Sequence, residues 1–176
     1  MVVALPSFHL VARAFPEAER RLLTNFPVAA KAPPAAAILE GTGAVDGYFR
    51  YSAGTRSWRE LVPLWWRIVR WRPEVLVYLG SARGVESAWR DARFFRMCGI
   101  GRLIGVPVTE AMQSNRQEGA WGEETLEYEA QRLARNLAEL GEARVDDSAS
   151  WDRRLTKAEL AKAAQALAEV DRPVIA

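Results

Sequence analysis

Strand and helix signals alternate along the chain, and the apolar run at 74–79, EVLVYL, constrains the fold most. It lacks the polar alternation of a strand with one wet face, so it predicts a strand covered on both faces, as in a parallel sheet. Parallel strands need long crossovers, and the stretches between the strand signals have helical length and periodicity. Helices are predicted at 4–14, 33–39, 57–71, 84–98, 123–140 and 156–170, and strands at 22–24, 45–51, 74–79 and 102–104, with a strand beginning at 173–176. Pro6 suits a first helical turn, while Pro63 kinks its helix or marks the true start. Ser57 with Glu60, and Thr156 with Glu159, have capping-box spacing. The expected fold is α/β, a mainly parallel sheet with helices on both faces. A strand ordinarily precedes a helix such as 4–14, and none is read ahead of it. That helix should therefore lean on the sheet with one exposed side, or stand over a gap.

At 176 residues the chain fits one domain with a sizeable core. Apolar content of 49% and charged content of 26% are those of an ordinary globular protein. No apolar run approaches the length of a membrane span, and residues 1–14 lack the basic start of a signal peptide. The single cysteine, Cys98, excludes an internal disulfide, and no Cys/His cluster offers a zinc site. The simplest setting is a reducing cytoplasm. Charge is uneven. Residues 1–49 carry four basic and four acidic groups, 50–102 carry eleven arginines against four acids, and 103–176 carry nine basic against fourteen acidic groups. A basic middle points to phosphate groups, anionic lipid or nucleic acid, or to solvated helix faces in an arginine-rich chain.

Three stretches could carry chemistry. On the 57–71 helix, Trp58, Leu61, Val62, Trp65 and Val69 share a face that should pack on the sheet. Arg59, Arg67 and Arg70 lie on the other side, flanked by Trp66 and Trp71. Arginine beside tryptophan suits an anionic membrane surface, and equally a core helix with a solvated side. Second, the turn at 79–84, LGSARG, follows the buried strand. Ligands of open α/β sheets bind at the carboxyl ends of strands, so Arg83 is either an anion contact or part of an ordinary turn. Third, the fourteen-residue polar stretch 109–122 holds Asn115 and Arg116 and is long enough to suggest a functional loop. Arg90, Arg93 and Arg96 read as solvent and salt-bridge residues. The lone His9 reads as structural or exposed. Glu123, Glu124, Glu127 and Glu129 fit a helix start, where the dipole favours carboxylates. The glycines at 99–105 do not form a dinucleotide fingerprint, and neither a P-loop nor a G-x-S-x-G elbow occurs.

Taken in order, LPSF at 5–8, FPEAERRLLTN at 15–25, VDGYFRY at 45–51, RPEVLVYL at 72–79, RDARFFRMCGIGRLIGVP at 90–107 and YEAQRLARNLAELG at 128–141 resemble the amino-terminal domain of family 9 glycosyltransferases, the heptosyltransferase-like enzymes. Each motif is weak alone; their order and spacing cover nearly the whole chain. The resemblance implies a Rossmann-like three-layer domain, one half of a GT-B architecture, that binds the acceptor of an inverting, metal-independent sugar transfer. The acceptor would be a glycolipid or phosphorylated saccharide of lipopolysaccharide core synthesis. The nucleotide sugar would be held by a second domain. The implied acceptor contacts are Ser7, Arg83, Asn115 and Arg116; no metal, cofactor or nucleic acid is implied.

The family's base is an aspartate of a Gly-Asp pair that would fall before Met1, so no catalytic residue is assigned within the chain, which alone should be inactive. Residues 1–172 would form the acceptor domain without its first strand, and 173–176 would begin the donor domain. Glu129 and Arg132 match the family's H-E-x-x-R helix, whereas Tyr128 stands where its histidine would be. The implied location is cytoplasmic, peripheral at the inner membrane. A different class of function is a non-catalytic module of the same fold that binds anionic lipid or a partner protein.

Overall fold

The structure, a computed structural model, describes residues 2–25, 35–52, 57–118 and 125–168. The strand read at 173–176, loop residues 119–122, and Glu123 and Glu124 lie outside them. The chain is mixed α/β. After a 3₁₀ turn at Val2–Ala4 come α1 (Leu5–Ala14), β1 (Arg21–Asn25), α2 (Ala35–Leu39), β2 (Gly47–Tyr51), α3 (Trp58–Trp71), β3 (Val75–Val77), α4 (Val85–Met97) and β4 (Arg102–Ile104). Then follow α5 (Glu110–Gln113), β5 (Gln117–Glu118), β6 (Thr125–Leu126), α6 (Glu129–Asn136), 3₁₀ turns at Ala138–Leu140 and Ser148–Trp151, and α7 (Lys157–Ala168).

The strands pair in parallel, as their sequence predicts, but in two separate ladders. β1 runs beside β2 with Arg21 opposite Gly47 and Asn25 opposite Tyr51. β3 runs beside β4 with Val75 opposite Arg102 and Val77 opposite Ile104. As a strand covered on both faces, the apolar run at 74–79 is expected in an interior position of the sheet. Instead, among the described residues, β3 bonds β4 alone, and its residues are half-buried. β5 and β6 form a small antiparallel hairpin.

Helices cover the strands in clusters. Leu64 and Ile68 of α3 and Phe95 of α4 pack with Phe49 of β2, and Leu23, Leu76 and Leu103 border the same cluster. α1 serves the other side, with Leu5 and Phe8 meeting Leu39 and Leu133, and Leu10 meeting Ile104 and Leu137. The stripe Leu64–Ile68–Trp71, at i, i+4 and i+7, is what meets Phe49. The predicted face is therefore rotated, because Trp58 and Val62 stand at 68% and 52% exposure. Pro63 sits inside α3 and does not mark its start. Ser57 is the N-cap of α3 through its backbone carbonyl, which accepts from Glu60 and Leu61; its hydroxyl makes no cap. The Thr156–Glu159 box does form, with Thr156 N to Glu159 Oε2 at 2.8 Å and Glu159 N to Thr156 Oγ1 at 3.2 Å.

The helix predicted over 123–140 begins only at Glu129. Glu127 explains the late start. Its carboxylate accepts from Arg116 N and pairs with Arg135 at 2.9 Å, which draws residues 125–127 beside 117–118. Leu126, read as part of the leucine stripe, is 69% exposed, while Leu133 and Leu137 are buried as expected.

Candidate anion-binding site at the carboxyl end of β3

The turn after β3 is shaped by Tyr78 and Gly80. The Tyr78 ring folds back so closely that a Cβ on residue 80 would meet it at 2.7 Å. Gly80 therefore lets the ring reach across to α4. The Tyr78 hydroxyl donates to Asp91 Oδ2 at 3.1 Å and accepts from Arg83 Nη2 at 2.9 Å. The same Nη2 lies 2.5 Å from Asp91. Burial pushes the Tyr78 phenol above its ordinary pKa. The bond to that phenol, more than the nearby Asp91 and Tyr51, raises the pKa of the Arg83 guanidinium, which stays charged. Tyr51 is the last residue of β2, so Arg83 stands near the carboxyl ends of both ladders.

Asp91 is shared with Arg90 at 3.6 Å, so the cluster keeps a surplus positive charge. Among the described residues, Nη2 is the one of the three Arg83 guanidinium nitrogens that makes a hydrogen bond, and its side chain is about half exposed. The Nε and Nη1 N–H groups that remain can each donate a single charge-assisted hydrogen bond to an anion.

The 109–118 segment is bolted beside this turn. Gln113, 9% exposed, accepts from Gly84 N at 3.2 Å and donates to the Pro107 carbonyl at 2.6 Å. Two arginines of α6 hold the carboxyl end of α5. Arg132 donates to Met112 O at 3.0 Å, and Arg135 to Ala111 O and Ser114 O at 2.9 Å each. These carbonyls are the ones a helix leaves without partners, so cations suit them. Arg132 is fully buried and forked onto Glu129 at 2.6 and 2.8 Å. The Arg135 contact holds the Glu127 carboxyl below its ordinary pKa. The sequence match at Glu129 and Arg132 is thus an i,i+3 ion pair that fixes a loop.

The expected contact residues separate. Arg83 and the segment bearing Asn115 and Arg116 are joined through Gly84 and Gln113. Arg116 is exposed, and Asn115 donates to Glu127 O at 2.6 Å. Ser7 does not join them. It faces inward from α1 at 1% exposure, and its hydroxyl has no partner among the described residues. Sequence reading missed Gln113, Tyr78 and Asp91; the i+8 and i+13 separations from Arg83 and Tyr78 to Asp91 carry no periodic signal.

On α3, Arg59, Arg67, Arg70 and Trp66 are exposed, with Trp66 at 58%. Trp71 turns inward, edge-on to Phe49 with its ring 5.4 Å away, and donates to Glu19. His9 bonds the Asp152 carbonyl at 2.9 Å, a tie between α1 and the chain ahead of α7. Burial lifts the Cys98 thiol to about 11, so it stays protonated and inert near neutrality. Among the described residues, no group of three or more His, Cys, Asp and Glu could hold a metal, and no helix is long and apolar enough to cross a membrane. Comparison with family models, curated proteins and solved structures finds no match to this chain.

Proposed function

We propose that this chain is the acceptor-binding half of an inverting, metal-independent glycosyltransferase, a Rossmann-like three-layer domain that forms one side of a GT-B cleft. The observation that carries the reading is the surplus cationic charge of Arg83, held at the carboxyl end of β3 and braced by Gln113 against the segment bearing Arg116. This edge is where open α/β sheets bind ligands. The six sequence motifs of the heptosyltransferase-like family support the same assignment. The acceptor is a glycolipid or saccharide carrying phosphate. Arg83 and Arg116 grip the anion, Asn115 and Gln113 fix the loop, and the acceptor hydroxyl is turned toward a donor sugar held elsewhere. Ser7 has a packing role in this arrangement.

Titration with a phosphorylated lipopolysaccharide-core oligosaccharide tests the reading. Arg83→Ala and Arg116→Ala should each weaken binding about tenfold, the size of one charge-assisted hydrogen bond. Arg93→Ala, on the exposed side of α4, should leave affinity unchanged. Equal affinity in all three variants would contradict the assignment.

A second reading has its own observation. Trp58 and Trp66, exposed at 68% and 58% on a helix that also exposes Arg59 and Arg67, have the make-up of a surface that meets anionic lipid. On this reading the chain is a non-catalytic module that binds anionic lipid or a partner protein. Both roles can coexist, since a glycolipid acceptor lies in a membrane.

A further inference from the structure

Arg83 does not hold its carboxylate alone. Asp91 meets Arg83 Nη2 with Oδ2 at 2.5 Å and faces Arg90 Nη2 with Oδ1 at 3.6 Å. The two oxygens of one carboxylate thus set two guanidinia beside each other. The carboxylate is itself held. Its side chain is 20% exposed, and the Tyr78 hydroxyl donates to Oδ2 at 3.1 Å. Arg90 is the freer of the two cations. Its side chain is 66% exposed, and its distance to Asp91 is within ion-pair range but too long for a hydrogen bond. Among the described residues no hydrogen bond engages the Arg90 guanidinium, so its donors are open to a ligand. A pair this exposed contributes little to stability, so the fold does not account for where Arg90 stands. The other arginines of α4 are placed differently. Arg96 donates to the Ile100 and Gly101 carbonyls. Arg93 stands two residues beyond Asp91, on a different side of the helix.

We infer that Arg90 is a second binding residue of this edge, and that it meets the same phosphate group as Arg83. The inference rests on the reading of the edge as the acceptor's anion site. A phosphate beside Asp91 faces one surplus positive charge, two guanidinia against one carboxylate. Arg83 has already given Nη2 to Asp91 and Tyr78, so it offers the phosphate single bonds from Nε or Nη1. Arg90 has no such commitment among the described residues and supplies a whole fork, the geometry that suits two oxygens of one phosphate. Asp91, pinned by Tyr78, keeps the two cations at a fixed spacing while the site is empty, which lowers the cost of ordering them when the anion arrives.

Inorganic phosphate is the probe, titrated into the full chain and followed by amide shifts at residues 80–84 and 90–91. Arg90→Ala should weaken phosphate binding about tenfold, the size of one charge-assisted hydrogen bond. Arg90→Lys should recover part of that loss, since it keeps the charge without the fork. Arg93→Ala removes the same charge from the same helix and should leave the affinity unchanged. Equal losses in Arg90→Ala and Arg93→Ala would overturn the inference, because a general field would then explain both. Unchanged affinity in Arg90→Ala with weakened binding in Arg83→Ala would overturn it while leaving the anion site at Arg83 in place. No saturable phosphate binding, or none that depends on either arginine, would overturn both. Phosphate binding that depends on Arg90, with no binding of the phosphorylated core oligosaccharide, would support the role of Arg90 and remove the acceptor reading.

Discussion

Glu129→Ala should destabilise the fold by about 3 kcal/mol, the cost of leaving one member of a buried ion pair without the other. The partner decides the size. Arg132 is fully buried, so removing Glu129 strands a guanidinium that keeps, among the described residues, the Met112 carbonyl as its partner. Glu129 is itself about a third exposed, so the mirror variant Arg132→Ala leaves a carboxylate that water can reach, and its cost comes mostly from the cavity. Thermal unfolding should show the Glu129→Ala midpoint lowered by about 6 to 12 °C. A shift under 2 °C would mean that the pair contributes no more than a surface salt bridge. The loss should also reach the loop, because Arg132 ties α5 to α6. Exchange of the amides in α5 should rise more than that of β1.

Gly105→Ala should cost about 2 to 4 kcal/mol, from two sources that add. Residue 105 has φ of +72°, where an L side chain pays about 1 kcal/mol or more. An added Cβ would also meet Leu137 Cδ2 at 2.6 Å, with the Tyr78 and Asn136 carbonyls at 3.2 and 3.3 Å. Leu137 has no exposed surface and no room to yield, so overpacking adds about 1 to 3 kcal/mol. Gly99→Ala is the internal control. Its φ of +85° carries similar backbone strain, but nothing lies within 4 Å of the added carbon. Chemical denaturation of the two variants should separate strain from crowding, with Gly105→Ala the less stable. Equal stability would show that crowding at Leu137 is relieved.

The elements were legible where local chemistry decides them. The period of α1, α3 and α4 and the apolar strand signals at 75–77 and 102–104 are set by neighbours in sequence, and each appears within a few residues of its predicted span. What escaped depends on distant partners. The 123–140 stretch has helical composition throughout, yet Glu127 gains more from Arg135 and the Arg116 amide than from a helical turn. The buried face of α3 was misjudged because its apolar arc is wide, and only the position of Phe49 chooses Leu64 and Ile68 over Trp58 and Val62. The same limit applies at the site. A turn ending in Arg83 after a buried strand was readable; the Tyr78–Asp91 clamp and the Gln113 brace were not, since neither has a sequence period.

Backbone amide resonances, followed during titration with the phosphorylated core oligosaccharide, locate the binding surface directly. Saturable shifts at residues 80–84 and 113–116, absent when the sugar lacks phosphate, are predicted if this edge grips an anionic acceptor. Shifts confined to the exposed Trp58–Trp66 face of α3, or no saturable shift at residues 80–84, would contradict it.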